Sequence, residues 1–252
     1  MQEIIKVENL TKRYGSSVAV DGINFSVFKN EIFGLLGPNG AGKTTTLEII
    51  ETLRAKSSGT ITVAGHDVDQ APNQVKSKIG VQLQAAGYYP SLTLRELIAL
   101  FAGLYNVKVD HHHVLQSVDL LDKANSKFKE LSGGQKQRFS ICTTLINKPE
   151  IIFLDEPTTG LDPQARRSLW DLIKQIRNRG TTIILTTHYM DEAEYLCDRV
   201  AIMDEGKIIT IASPIVLIDQ LIASGFERTV EAKKATLEDV FLSLTGKAIR
   251  DL

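Results

Sequence analysis

The stretch GPNGAGKT at residues 37–44 constrains the fold of this chain more than any other feature. It follows a short apolar segment at 31–37, which is typical of a buried strand, and it opens a segment at 44–54 with helical periodicity. A glycine, four residues, a glycine, a lysine and a threonine between a strand and a helix form the phosphate-binding P-loop pattern. The sequence therefore predicts an α/β fold with an anion site where a strand meets a helix.

The residue types of this loop suit a nucleoside triphosphate and Mg²⁺. The glycines let the backbone approach the phosphates, and the amides of residues 40–45 point at the anion from the helix N-terminus. Lys43 can reach the β- and γ-phosphates, and the Thr44 hydroxyl can ligate Mg²⁺. A dinucleotide-binding loop fits less well, because its glycine spacing is not met and it needs no lysine. The predicted nucleotide contacts here are Gly37, Pro38, Asn39, Gly40, Ala41, Gly42, Lys43, Thr44 and Thr45.

An acidic pair follows a second apolar strand pattern, IIFLDEP at 151–157. Asp155 ends the predicted strand, where ligands bind in open α/β sheets. A carboxylate there can serve a hydrated Mg²⁺, which takes few protein ligands. Glu156 can act as the general base on an attacking water, an effect worth ~10²–10⁴-fold in rate. Alone, such a pair would indicate a solvated strand end, but the P-loop upstream favours the catalytic interpretation.

The remaining strand patterns give the fold class. The segments 4–14 and 18–28 alternate apolar and polar residues, which predicts half-buried antiparallel strands. The segments 151–155 and 181–188 are apolar and β-branched, which is typical of central parallel strands. Further strands are predicted at 59–65, at 78–84 and in a hairpin that turns at 204–206. The sum is an α/β core with an antiparallel edge.

Helical patterns fill the rest of the chain. The interval from about 85 to 148 is predicted to be a helical insertion, with LTLRELIALFAGLY at 92–105 as its clearest helix. The helix after the P-loop is predicted to place Leu47, Ile50 and Leu53 on one face. A later helix begins at Asp162-Pro163 and ends before Gly180. Its apolar stripe is Leu169, Leu172, Ile173 and Ile176.

The composition excludes several function classes. The chain has 252 residues, of which 43% are hydrophobic, so it can bury an ordinary core. A net charge of −1 gives no basic surface for nucleic acid, and no nucleic-acid partner is expected. Its two cysteines sit among apolar residues and are interpreted as core thiols. No apolar run approaches the ~20 residues that a membrane helix needs, so membrane attachment is expected only through a partner.

A second glycine-rich stretch, LSGGQKQR at 131–138, poses a problem of geometry. Ser132 is predicted to cap a helix, with Gly133 and Gly134 in its first turn, so this end also offers amides to an anion. An ordinary helix cap is the simpler interpretation of these residues alone. Because the stretch lies in the insertion and the P-loop in the core, one γ-phosphate can touch both only if they come from different chains.

The order of these motifs resembles the nucleotide-binding subunit of ABC transporters over residues 3–212. The matching motifs are GPNGAGKT, a glutamine loop, LSGGQ, IIFLDEP, TTGLD and a histidine after a strand. The resemblance implies a P-loop NTPase (RecA-like) core with an antiparallel β subdomain and an inserted α-helical subdomain. It also implies a head-to-tail dimer in which each ATP lies between the P-loop of one subunit and Ser132, Gly133, Gly134 and Gln135 of the other.

The resemblance assigns four further roles, residue by residue. Tyr14 matches the aromatic residue that stacks on adenine, although an ordinary strand aromatic remains possible. Gln84, preferred over Gln82, matches the glutamine that reaches Mg²⁺ and the water. Asp162 matches the loop that contacts the opposite subunit, and His188 matches the histidine that hydrogen-bonds the γ-phosphate. The implied catalytic residues are Glu156, His188 and Gln84, and the implied Mg²⁺ ligands are Thr44, Gln84 and Asp155.

The last forty residues resemble a subfamily. The segments 213–225 and 235–247 are similar to the end of ATPases that pair with ABC-2 type permeases, as in daunorubicin-type exporters, although the stretch between them is shorter here. The expected organisation is an ABC ATPase domain over 1–212 and a short helical extension over 213–252. A soluble non-transport ABC ATPase and an importer subunit are the alternatives.

The expected function is to energise a separate ABC-2 type membrane permease that exports a drug, a lipid or another small molecule. The expected partners are that permease and a second copy of the chain or a paralogous ATPase, at the cytoplasmic face of the cell membrane. Tyr88 and Tyr89 follow the glutamine loop and are candidate anchors for a permease helix. They are equally consistent with a place in the core of the helical insertion.

Overall fold

The computed structural model describes residues 2–82 and 87–224, and the chain divides into two compact units, Met1–Ile215 and Val216–Leu252. The strands are β1 (Glu3–Tyr14), β2 (Ser17–Phe28), β3 (Ile32–Leu36), β4 (Ser58–Val63), β5 (His66–Asp67), β6 (Ile79–Gln82), β7 (Ile151–Asp155), β8 (Thr182–Thr187), β9 (Arg199–Asp204) and β10 (Lys207–Ala212). The helices are α1 (Lys43–Ile50), α2 (Pro72–Lys78), α3 (Leu94–Tyr105), α4 (His111–Gln116), α5 (Gly133–Thr144), α6 (Pro163–Asn178), α7 (Met190–Leu196) and α8 (Pro214–Ala223).

The nucleotide-binding edge is built by a six-stranded sheet of order β10-β9-β3-β8-β7-β6. The strands from β9 to β6 run parallel, and β10 returns antiparallel to β9 as the predicted hairpin. The register pairs Leu36 with Thr187 and Asp155 with Thr186. Because the carboxyl ends of β3, β7 and β8 therefore meet at one edge, the segments that follow these strands lie close together.

A separate four-stranded sheet, of order β2-β1-β4-β5, forms the predicted antiparallel part of the fold. Its strands β1 and β2 pair over almost their whole length with several register shifts. Alternate side chains of both strands are buried, including Val7 and Val27, as the sequence pattern indicates. These side chains share one apolar cluster with Phe33 and Leu35 of β3 and with Leu47 of α1. The core therefore ties the antiparallel sheet to the strand and helix on either side of the P-loop.

The helical insertion contains α3, α4 and α5, as expected. Its interior includes Tyr88, whose ring centroid lies 4.7 Å from that of Phe128 and 5.4 Å from that of Phe139. The Tyr88 hydroxyl lies 3.0 Å from the Thr143 hydroxyl on α5. Tyr89 is 64% exposed. Of the two interpretations of this pair, core packing therefore holds for Tyr88, and Tyr89 alone presents its ring to solvent.

The prediction that Leu53 shares a helical face with Leu47 is wrong. Helix α1 ends at Ile50, Thr52 adopts a left-handed conformation with φ 63°, and Leu53 is 54% exposed. The amide of Leu53 donates to the Glu48 carbonyl at 2.8 Å, which closes the helix end.

The sequence analysis also missed helix α2, which is only seven residues long and carries a single buried side chain, Val75.

Two further expectations concern the cysteines and the membrane. Cys142 and Cys197 are free and buried, as predicted for core thiols, and burial raises the pKa of both. Within residues 2–82 and 87–224, none of the helices combines the length and the apolar character needed to span a membrane.

Candidate active site

The loop between β3 and α1 has the backbone geometry that a phosphate cradle requires. Gly40 and Gly42 have φ values of 84° and 99°, which side-chain-bearing residues rarely adopt. A Cβ on Gly42 would lie 2.5 Å from the Ala19 carbonyl oxygen, and one on Gly37 would lie 2.2 Å from the Met203 carbonyl oxygen. The backbone of neighbouring strands therefore closes on the loop, and glycine is needed at both positions.

The first turn of α1 has backbone amides that are available to bind an anion. Gly42 is the N-cap, none of the described side chains caps this end, and the first turn contains no acid. The first amides of a helix have no partner within the helix, so they remain available to phosphate oxygens. They open into a cavity of about 460 Å³, a size suited to a small ligand. Its lining residues are Ala19, Asn39, Gly40, Gly42, Lys43, Thr44, Thr45 and Glu156.

Lys43 is buried beneath this loop. Its Nζ donates to the carbonyl oxygens of Gly37 at 2.8 Å and Pro38 at 2.9 Å. Burial lowers the pKa of the lysine, and the nearby carboxylates of Glu156 and Asp155 oppose that shift. The ammonium group is therefore held at the wall of the cavity by the two carbonyls and by the nearby carboxylate charges.

Asp155 and Thr44 form a compact oxygen-rich corner. The Thr44 hydroxyl lies 3.2 Å from Oδ1 of Asp155, and the Thr186 hydroxyl donates to the same oxygen. Burial is the main cause that raises the pKa of Asp155, while hydrogen bonds from Thr186 and Thr44 act in the opposite direction. A hydroxyl beside a carboxylate is a donor set that suits Mg²⁺.

Glu156 lies at the edge of the same cavity and meets His188. Its Oε1 is 3.2 Å from Nδ1 of His188, and its Oε2 accepts from the Thr159 hydroxyl at 3.2 Å. The Glu156 backbone is left-handed, with φ 48°, and its amide donates to the carbonyl and the hydroxyl of Thr186. Such a conformation in a non-glycine residue is costly and persists where surrounding contacts fix it.

The structure also places the residues of the second glycine-rich loop. Ser132 caps α5 as predicted, with its hydroxyl accepting from the Gln135 amide at 3.3 Å. The Gln135 side chain accepts from the Ser132 amide at 3.0 Å, which completes a capping box. Ser132 and Gly133 are exposed. The loop therefore presents a preorganised helix N-terminus on the protein surface.

The remaining predicted site residues have mixed outcomes. Tyr14 is 43% exposed at the end of β1, with Lys12 Nζ 4.9 Å from its ring centroid, and its adenine contact stays a prediction. Asp162 caps α6 by accepting from the Ala165 amide at 2.8 Å. Gln84 lies outside the described residues. The competing Gln82 is buried on β6, and its Oε1 has no hydrogen-bond partner in the described structure.

Sequence reasoning missed Thr186, which contacts both acids of the site. Its hydroxyl donates to Asp155 and accepts from the Glu156 amide. The signal was present in TTIILTTH, because two hydroxyl residues end a strand that was predicted to be central. The strand order was needed to use it, since Thr186 is 31 residues from Asp155 along the chain.

The fold and this site define a class of protein, a P-loop ATPase with a surface-exposed second glycine-rich helix end. The family model for ABC transporters matches residues 20–159. The chain therefore belongs to the ABC transporter ATP-binding family, whose subunits hydrolyse ATP and work with membrane permeases.

Curated relatives cover nearly the whole chain. It is 39% identical over 244 residues to the linearmycin resistance ATP-binding protein LnrL of Bacillus subtilis, covering 95% of this chain and 78% of the relative. It is 39% identical over 240 residues to the Nod factor export ATP-binding protein I of Burkholderia lata, covering 93% of this chain and 79% of the relative.

Solved structures share the fold. An ATP-binding subunit of an ABC transporter superposes with a TM-score of 0.77 at 26% identity, covering 96% of this chain and 99% of that chain. The dimeric cassette MJ0796, in a post-hydrolysis state with ADP and Pi, superposes with a TM-score of 0.74 at 27% identity, covering 83% and 98%. The predicted family, fold class and ATPase activity are thereby confirmed.

Proposed function

We propose that this chain binds Mg²⁺-ATP between two subunits and that hydrolysis at Glu156 drives an ABC-2 type exporter permease. The observation that carries the proposal is the convergence of Lys43, Thr44, Asp155, Glu156 and His188 at one end of the parallel sheet. Five side chains from β3–α1, β7 and β8 meet there, within or beside one cavity. Each has the chemistry that phosphoryl transfer to water requires.

The Thr44 hydroxyl and the Asp155 carboxylate are the groups that would hold Mg²⁺. Their separation of 3.2 Å supports a shared ligand, and the contact from Thr186 fixes the carboxylate orientation. Mg²⁺, when bound, would neutralise phosphate charge and orient the triphosphate. Gln84 is proposed as a third contact, on the resemblance alone.

Glu156 is proposed as the general base. Its side chain reaches the cavity beside Lys43, and Thr159 and His188 restrict its orientation. A base oriented in this way accepts a proton from the water that attacks the γ-phosphate. Lys43 stabilises the phosphate charge without taking part in proton transfer.

A second subunit completes the site. The exposed start of α5 offers amides and a serine hydroxyl, which are the groups that bind a terminal phosphate. We place that end on the nucleotide of the partner in a head-to-tail dimer. The partner is a second copy of this chain or a paralogous ATPase.

Export is supported by the relatives, whose names concern linearmycin resistance and Nod factor export. We place the chain at the cytoplasmic face of the membrane, where it is attached through its permease. Tyr89, which lies in the insertion and is 64% exposed, is the proposed contact for a permease helix. The ATPase domain is taken as 1–212.

The test is co-expression with a candidate ABC-2 type permease from the same genome. We expect wild-type chain to co-purify with that permease in membranes, and we expect Tyr89→Glu to abolish this while ATP binding persists. Tyr105→Glu, at the last residue of α3 and 41% exposed, is the matched control and should retain the complex. A soluble wild-type chain that hydrolyses ATP but never co-purifies with a permease would favour the soluble ABC ATPases instead. Uptake driven by the complex would instead identify an importer subunit.

A further inference from the structure

The guanidinium group of Arg138, on α5, joins the helical insertion to the core. Its Nη1 donates to the Val118 carbonyl at 3.0 Å and to Oδ2 of Asp119 at 2.9 Å. Its Nη2 donates to the carbonyl of Ser168 at 3.1 Å and to the Ser168 hydroxyl at 2.6 Å. Both terminal nitrogens are therefore fully engaged, one with the turn after α4 and one with α6.

Helices α5 and α6 are also pressed together at their N-terminal ends. A Cβ on Gly134 would lie 3.3 Å from the Cβ of Ala165, and one on Gly133 would lie 3.9 Å from Cδ2 of Leu161. Leu161 directly precedes Asp162, which caps α6. The LSGGQ loop and the TTGLD loop are therefore neighbours, and their relative position depends on how α5 and α6 are held.

We propose that Arg138 is a positioning residue for ATP hydrolysis, which holds α5 on α6 so that the Ser132 and Asp162 loops face the partner subunit as one rigid surface. The inference rests on the proposed head-to-tail dimer. Arg138 contacts neither the residues that line the nucleotide cavity nor the carboxylates of Asp155 and Glu156 in its own chain. Its loss therefore acts on the nucleotide of the partner and leaves ATP binding by its own P-loop intact.

The geometry explains why the residue is an arginine. Its acceptors lie on two separate elements, and a planar guanidinium presents donors in fixed, divergent directions. A lysine has three donors on a single nitrogen and cannot reach both sets at these distances. The Arg138 side chain is only 16% exposed and Val118 is fully buried, so loss of the guanidinium takes a hydrogen bond from the Val118 carbonyl in a setting with little access to water.

The experiment separates ATP binding from dimerisation, with Glu156→Gln in every chain to prevent turnover. We expect Arg138→Lys to leave the Kd of the monomer for ATP within about twofold of the parent. We expect it to weaken ATP-dependent dimerisation, measured by sedimentation, by at least about tenfold, because the trans-acting loops lose their alignment. Asp119→Asn is the matched control, because the Asp119 side chain is 74% exposed and asparagine keeps an oxygen that can accept from Arg138. It should change neither quantity.

Ser168→Ala provides a second variant that removes one acceptor from α6 and preserves the helix. It is expected to weaken dimerisation about threefold at an unchanged Kd for ATP. In a double-mutant cycle with Arg138→Lys, the two effects should not add, because both remove the same contact. Additive effects would contradict the direct link.

Mixed dimers show which nucleotide depends on Arg138. Chains carrying Lys43→Ala are paired with differently labelled chains, so that only mixed dimers are counted. With Arg138→Lys in the other chain, one composite site keeps an intact P-loop opposite an intact α5. When Lys43→Ala and Arg138→Lys are in the same chain, neither composite site has an intact P-loop opposite an intact α5. This second mixed dimer should therefore form at least about tenfold more weakly than the first.

Four results would overturn the inference. Arg138→Lys chains that dimerise as well as the parent would exclude a positioning role. A parallel loss of ATP binding and dimerisation would identify a general structural role, and so would equal affinities of the two mixed arrangements. A parent that binds ATP but forms no dimer would remove the proposed composite site, and with it this inference. That last result is seen before any Arg138 variant is made, so the two failures are distinguishable.

Discussion

At the scale of single residues, the candidate active site depends on a balance of charge between Lys43 and the two acids Asp155 and Glu156. Asp155 and Glu156 are adjacent acids, and their mutual repulsion contributes to the raised pKa of Asp155. Lys43 opposes that shift, and both carboxylates favour its ammonium form. The left-handed backbone of Glu156 turns the chain directly after β7, so the two neighbouring acids can serve different tasks.

Glu156→Gln tests the assignment of the base. We expect a loss of ATPase rate of ~10²–10³-fold, because the amide cannot accept a proton, with little change in ATP affinity. The measurement is single-turnover hydrolysis beside equilibrium ATP binding. Glu194→Gln, an exposed position on α7, is the control and should behave as wild type. A Glu156 variant that hydrolyses ATP at the wild-type rate would remove the residue from its catalytic role.

Thr186→Val tests the contact that sequence reasoning missed. The change removes a hydroxyl that binds both Asp155 and the Glu156 amide, so we expect the ATPase rate to fall ~10-fold or more. Thr182→Val is a matched control, because Thr182 begins the same strand and its hydroxyl accepts from the Asn30 amide at 3.0 Å. Both variants should lose ~1 kcal/mol of stability, but only the first should lose activity. Equal activities in the two variants would show that the Thr186 hydroxyl does not support catalysis.

Local sequence information predicted individual helices and strands well where the hydrophobic periodicity and a residue that typically ends the element indicate the same boundary. The P-loop segment, the strands β7 and β8 and the amphipathic helix α6 all follow from patterns within about fifteen residues. The prediction failed at Leu53, since a left-handed Thr52 ends the helix and no glycine or proline marks the place. Short elements such as α2 carry too few buried positions to produce a readable period.

The end of α1 carries a buried acid, Glu51, that makes stability depend on pH. Burial raises the pKa of Glu51 from 4.5 to about 8, and the charges of Asp155 and Glu48 add to this. The folded state then binds more protons than the unfolded chain between pH 4.5 and about 8, so the free energy of unfolding falls as pH rises through this window. The slope is at most ~1.4 kcal/mol per pH unit.

Glu51→Gln should remove this dependence. A neutral amide of similar shape avoids the cost of ionising the buried acid, so we expect the variant to be more stable than wild type at pH 8 and similar at pH 4.5. Denaturant unfolding at several pH values measures this. Glu48→Gln, at the partly buried neighbouring acid, is the control and should retain most of the slope. An unchanged slope in the Glu51 variant would mean that the acid is already ionised in the folded state.

The whole molecule is less predictable from sequence than its elements, because its contacts join distant segments. Thr186 meets Asp155, Arg138 meets Ser168, and Tyr88 packs inside the insertion only once the strand order is known. The role of Gln84 and the division at residue 212 remain predictions. The P-loop was nevertheless recognisable from its glycine spacing alone. The LSGGQ loop by itself indicated only a helix cap, and the second subunit followed from its place in the insertion and from the resemblance to ABC transporter subunits.

A crosslink between subunits tests that central claim most directly. Asn39→Cys is placed in the P-loop of one chain, and Lys129→Cys, three residues before Ser132, in another. Both positions are exposed, whereas Cys142 and Cys197 are buried and should not react. With Glu156→Gln in both chains, the account predicts that ATP, and not ADP, produces a crosslink between the Asn39→Cys and Lys129→Cys chains. A pair that binds ATP but forms this crosslink equally with and without nucleotide, or not at all, would contradict it, and so would a chain with both cysteines that crosslinks only within itself.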